Sequence, residues 1–129
     1  MIELSQMRNP LTRGLVAFIV FSAMIGSSQR AWAHAILVDS NPRDGATIAG
    51  PNFEAVLSFN SRIDQSRSKV TLDGPELSDV FVPVAPTDQQ PAILKAKLTG
   101  LKHGLYMLHW QVLAVDGHIT RGVISFQVR

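Results

Sequence analysis

The sequence predicts an all-β protein, an immunoglobulin-like Greek-key β-sandwich of about seven strands. Three observations carry this expectation. From residue 35 onward apolar and polar residues alternate in short runs, no stretch keeps a helical period, and Gly, Pro, Asn and Asp interrupt the runs at short intervals. Six or seven such runs in fewer than 100 residues suit two packed sheets. A small closed barrel is the alternative architecture.

The elements follow in order. Ala35 to Val38 reads as a short first strand, closed by the turn-forming run Asn41-Pro42-Arg43-Asp44-Gly45. Phe53 to Phe59 is a second, with Phe53, Ala55, Leu57 and Phe59 on one face. Ser68 to Leu72 is a third, ended by Asp73-Gly74-Pro75. Val80 to Val84 contains Pro83, which points to an edge or irregular position. Ala92 to Leu98 sets Ala92, Leu94, Ala96 and Leu98 against Ile93, Lys95 and Lys97, the pattern of a half-buried strand. The longest run, Leu105 to about Val115, places Tyr106, Leu108, Trp110, Val112 and Ala114 on a core face and Met107, His109 and Gln111 on the other. A closing strand runs from Ile119 to Val128, with Ile124, Phe126 and Val128 facing inward.

The first 33 residues belong to a different class. They carry Arg8 and Arg13, an apolar run of 11 residues from Leu15 to Ile25, and the small-x-small tripeptide Ala31-Trp32-Ala33. This is the layout of a cleaved secretory signal peptide, and the apolar run is well short of the roughly 20 residues a spanning helix needs. Residues 1–33 are therefore expected to be a leader and residues 34–129 one exported domain.

Removing the leader changes the bulk properties. The whole chain has 12 Lys plus Arg and 10 Asp plus Glu, but the exported part keeps nine of each. A formally neutral domain has no electrostatic footprint for nucleic acid or an anionic membrane. Cysteine is absent, so disulfides, thiolate zinc sites, redox dithiols and blue-copper ligation are excluded together. All four histidines and a single methionine, Met107, lie beyond residue 33.

Cleavage after Ala33 would make His34 the N-terminal residue. Its free amine and ring Nδ1 could then close a six-membered chelate on one metal ion, which an internal histidine cannot do. Asp116 and His118, at two-residue spacing after the longest strand, could complete the set from one side of an extended backbone. An Asp-Gly pair alone reads equally as a turn before the last strand. Two imidazoles, an amine and a carboxylate suit tetragonal Cu(II) better than calcium or structural zinc. His103 and His109 read as solvated surface residues, and Tyr106 and Trp110 as packing residues. Asp39, Asp44, Asp64 and Asp73 are explained by turns and strand ends.

Four stretches together resemble one family. They are the run His34 to Gly45, Leu57-Ser58-Phe59, the strand Gly104-Leu105-Tyr106-x-Leu108-x-Trp110-x-Val112, and the ending Asp116-Gly117-His118-x-x-x-Gly122-x-x-x-Phe126-x-Val128. In order and spacing they are similar to the CopC family of periplasmic copper-binding proteins, over essentially all of residues 34–129. The resemblance implies a β-sandwich holding Cu(II) through the amine and ring of His34 with Asp116 and His118, for copper resistance or delivery to a membrane partner of the CopD type. Two departures matter. The methionine- and histidine-rich loop that holds Cu(I) in several members has no counterpart, since residues 70–90 contain neither Met nor His. The acidic residue that some members carry after the Phe-x of the second strand is Ser61 here, so a contact near the Cu(II) ion is expected to be missing or altered.

A carrier that captures the copper ion is therefore expected, not an enzyme, and a monomer is the simplest assembly. Two other readings differ in class: a histidine-brace copper oxygenase, disfavoured by the small domain and the carboxylate ligand, and a metal-free sandwich interaction module.

Overall fold

The computed structural model describes residues 34–87 and 89–129. The expected leader, residues 1–33, lies outside the described residues. Eight strands form: β1 (Leu37–Asn41), β2 (Ala46–Ile48), β3 (Phe53–Phe59), β4 (Ile63–Gly74), β5 (Leu77–Val82), β6 (Ile93–Leu98), β7 (Gly104–Ala114) and β8 (Ile119–Val128). They make a three-stranded sheet in the order β1-β3-β6 and a five-stranded sheet in the order β2-β8-β7-β4-β5. Every neighbouring pair is antiparallel except β2 with β8. The chain leaves β3 in one sheet and enters β4 beside β7 in the other, a Greek-key crossing, and the two sheets form an open sandwich rather than a barrel.

Period-two alternation decides which face each strand buries. In β7 the inward residues Tyr106, Leu108, Trp110, Val112 and Ala114 are buried, as are Ala55, Leu57 and Phe59 in β3 and Leu94, Ala96 and Leu98 in β6. The two sheets thus face each other across one core. Tyr106 stacks on Phe126 with centroids 5.5 Å apart. Its hydroxyl accepts from the Lys102 amide at 2.8 Å and donates to the Lys102 carbonyl at 3.0 Å, which satisfies a polar group at the end of a fully buried ring. Trp110 packs edge-on against Phe59 at 5.3 Å and so joins the two sheets.

Four boundaries differ from expectation. The first strand begins at Leu37 and not Ala35, because the Ile36 amide donates to the Asn60 side chain and not to a backbone carbonyl of β3, and it then runs to Asn41 through a bulge between Leu37 and Asp39. β2 was not expected: its three residues run parallel to β8, and so short a parallel edge strand shows neither alternation nor a hairpin turn. Asp44 sets its register by accepting from the Ser125 amide and hydroxyl, both at 2.8 Å. β4 extends well beyond the expected residues 68–72, with a bulge between Asp64 and Lys69 that hides its alternation. β5 ends at Val82, before Pro83, and is an edge strand. Past the proline the chain crosses to β6, where Val84 bridges Ala96.

Gly122 faces Trp110 across the β7–β8 ladder, and a Cβ there would collide with the indole. Gly122→Ala should therefore destabilise the fold by about 1–3 kcal/mol through overpacking, measured as a lower urea midpoint with a changed Trp110 emission maximum.

Three carboxylates tie the loops and shape the acid response. The Ser125 amide and hydroxyl hold Asp44 below the ordinary carboxylate range, the Ser66 hydroxyl does the same for Asp64, and the Asp79 amide with His109 for Asp73. Since each folded pKa lies below its unfolded value, the unfolded chain binds protons first. Stability should be flat above the ordinary carboxylate range and fall as pH drops through it toward the folded values. Urea midpoints that stay constant from neutral to acid conditions would contradict this.

Candidate metal centre

His34, Asp116 and His118 meet at one end of the sandwich. One potential ligand atom from each lies within 4.8 Å of the other two. The residues come from opposite sheets, His34 immediately before β1 and the pair from the β7–β8 turn.

The His34 end is held by two devices. Ala35 is completely buried, which anchors the chain one residue after His34. Asn60, just past β3, accepts from the Ile36 amide through its side chain at 2.8 Å and donates its own amide to the Ile36 carbonyl at 3.0 Å. The backbone is thus stitched to the three-stranded sheet before regular pairing starts. Asn60 is the residue between Phe59 and Ser61, so the position before Ser61 supplies the tether. Ser61 Oγ is buried and has no hydrogen-bond partner among the described residues.

The other two residues are set by the turn. The Ala114 amide donates to the His118 carbonyl at 2.8 Å and the Gly117 amide to the Ala114 carbonyl at 2.9 Å. Gly117 has φ +89°, a conformation that favours glycine, so this residue makes the tight reversal possible. Asp116 Oδ1 accepts from the His118 amide at 3.0 Å, and Oδ2 lies 3.1 Å from His118 Nδ1. That amide first, then desolvation opposed by the His118 ring, leaves the Asp116 carboxyl below its ordinary value, so it is anionic at neutral pH. Its side chain is only 21% exposed, so the carboxylate turns toward the histidines and not to solvent.

The rings of His34 and His118 stand edge to face, 4.7 Å between centroids at 77°. Donors bound about 2 Å from one ion lie at most about 4 Å apart, so the cluster needs to close by less than about 1 Å to share a metal. Two imidazoles and an anionic carboxylate, open to solvent at a rim, fit a borderline cation such as copper better than a hard cation seeking only oxygen.

The other histidines behave differently from each other. His103 is exposed, as expected. His109 is not simply solvated: its side chain is 39% exposed, and Nε2 lies 2.9 Å from Asp73 Oδ2 on the neighbouring strand. The 36 residues between them concealed this pair, which the β4–β7 register creates by placing Asp73 opposite Met107 and one diagonal step from His109.

Comparisons with known proteins agree with this architecture. A sequence profile described as the CopC domain matches residues 37–129. Copper resistance protein C of Xanthomonas campestris pv. juglandis is 31% identical over 124 residues, covering 91% of this chain and 97% of the relative. Protein YobA of Escherichia coli K12 is 29% identical over 100 residues, covering 76% and 81%. Among solved structures, CopC from Methylosinus trichosporium OB3b superposes with a TM-score of 0.66 at 25% identity, covering 74% of this chain and 93% of that one. PcoC, a methionine-rich copper resistance protein from Escherichia coli, gives 0.62 at 27%, covering 75% and 100%. The profile match over residues 37–129 and the 31% identity to a copper resistance protein along nearly its whole length show that the chain belongs to the CopC family.

Proposed function

We propose that this protein is a copper-binding copper-resistance protein of the periplasm that captures one Cu(II) ion at the rim of its sandwich. Residues 1–33 are its cleaved leader, and His34 binds through its new amine and its ring, with Asp116 and His118 completing the donor set. The observation that carries the reading is the convergence of these three side chains, separated by more than 80 residues of sequence, to within 4.8 Å. The family membership and the copper resistance proteins among the relatives support copper as the cargo.

The chemistry is capture and release. An anionic carboxylate beside two imidazoles favours Cu(II) over Cu(I), and no Cu(I) site is proposed because residues 70–90 lack the Met and His that soft coordination requires. Binding displaces protons from the amine and imidazoles, so affinity should fall with pH. A rim position leaves the ion accessible to a partner, which we propose to be a membrane protein of the CopD type. No turnover is proposed.

The test uses the protein expressed with its own leader. Mass spectrometry of the purified product should show His34 at the N-terminus. Cu(II) titration followed by electron paramagnetic resonance and by Trp110 fluorescence should saturate at one equivalent. One additional residue before His34, or His118→Ala, should weaken binding by roughly 100-fold or more, the loss of about 2.7 kcal/mol. Asn60→Ala should weaken it by roughly three- to tenfold, because the His34 backbone loses one tether of about 1 kcal/mol. Undiminished affinity in the extended protein would remove the amine from the site, and absence of Cu(II) binding would sink the whole reading.

A further inference from the structure

The outer face of the five-stranded sheet is unusually apolar for a surface. Phe81 is 70% exposed, Leu105 64%, and Met107, Val123 and Ile119 are each exposed by two-fifths to one-half. These residues occupy a face, not scattered points, because strand register aligns them in rows across the sheet. Phe81, Thr71, His109 and Val123 form one row. On the side nearer the β7–β8 turn the next row is Lys69, Gln111 and Arg121; on the far side it is Asp73, Met107 and Ser125. A groove of about 410 Å³ crosses the central and cationic rows.

The charges on this face are segregated in a way that fits its own inverse. Lys69 makes no ion pair among the described residues, and Arg121 uses its Nε on Gln111 Oε1 at 2.7 Å. On the opposite row stand Asp73 and, at Ser125, the Asp44 carboxylate that this residue binds through its amide and hydroxyl. We propose that this face is a self-association surface, through which two copies of the protein pair with strands antiparallel about a two-fold axis lying along the Phe81–Val123 row. The self-complementarity is specific. That axis places Lys69 over Asp73 of the second copy and Arg121 over its Ser125, beside the Asp44 carboxylate bound there, while each Phe81 meets its equivalent and the exposed Leu105 meets Leu113 on the same strand. An axis along β7 would instead set Lys69 against Arg121, like on like, and one between β4 and β7 would set Lys69 over Gln111 with no opposite charge to meet. The occupant is therefore a second copy in one orientation, the isologous pairing of a closed dimer.

The size of the face fixes the strength. Four strands about 4.8 Å apart and nine residues rising about 3.3 Å each offer on the order of 500 Å² per copy. Twice that is close to the lower limit of specific interfaces, which means a weak, concentration-dependent dimer and not an obligate one. The pairing departs from the monomer taken as the simplest assembly. His34, Asp116 and His118 lie beyond the edge of the paired rows, so each copy keeps its rim open and the two rims point away from each other.

Sedimentation equilibrium of the protein, purified as its own leader directs, tests this. A reversible dimer should be populated at ~0.5 mM in low salt and should weaken by roughly fivefold or more in ~0.5 M salt as the charge pairs are screened. Phe81→Asp should abolish it without changing the melting curve or Cu(II) stoichiometry. Lys69→Asp should abolish it through repulsion from Asp73, and Lys69→Asp with Asp73→Lys should restore it by exchanging the signs. A protein that stays monomeric at that concentration, or a dimer indifferent to both Phe81→Asp and Lys69→Asp, overturns the proposal. So does a dimer that forms only with Cu(II) and is lost in His118→Ala, because association would then run through the rim.

Discussion

The antiparallel ladder between β7 and β8 is the interaction on which the molecule depends. It pairs ten residues of each strand without a register shift, from Gly104 with Val128 to Leu113 with Ile119. β4 attaches to its β7 edge and β2 to its β8 edge, and β5 extends the sheet outward from β4. Its inner face supplies Tyr106, Leu108, Trp110, Val112, Ile124, Phe126 and Val128 to the core. Each such side chain stabilises the fold by about 1.5–3 kcal/mol on burial. Without cysteine, no covalent link supplements that burial, so the same ladder that organises the sheet also supplies much of its stability.

The rim cluster inherits its position from this ladder and from one sheet-to-sheet contact. Asp116 and His118 sit in the turn that closes β7 on β8, and their backbone is fixed by hydrogen bonds internal to that turn. His34 is attached to the other sheet through Asn60 and the buried Ala35. The distance between the two halves is therefore set by how the sheets pack, and Phe59 against Trp110 is the aromatic contact that spans them. Gly122 leaves the space in which that indole lies. A packing change in the core would accordingly be felt at the rim as a change in donor spacing.

The sequence made some of this legible and hid the rest for physical reasons. The faces of β3, β6 and β7 could be read directly, because strict alternation reports a sheet with one buried side. The three residues that meet at the rim could be named from an expected leader boundary and an Asp-x-His spacing. What could not be read were features made by register. β2 is three residues of parallel edge, β4 has its alternation broken by a bulge, and the His109–Asp73 pair exists only because that bulged strand lies beside β7. Asn60 was equally hidden, since an asparagine after a strand signals a turn and nothing in its neighbourhood announces a hydrogen bond to Ile36, 24 residues earlier.

A donor set divided between two sheets has a consequence for release as well as capture. Strand ends are where local opening costs least, and the segment before β1 is held by one side-chain and one main-chain hydrogen bond ahead of its ladder. An ion shared between that segment and the β7–β8 turn cross-links two elements that would otherwise fray independently, so binding stabilises the closed rim by mass action. The same linkage runs in reverse: in the proposed site, opening the short segment at Asn60 would withdraw the His34 donors and leave Asp116 and His118 on their turn. A receiving protein would then compete with two ligands and not with the full set, so release from the proposed site would not require the sandwich to unfold.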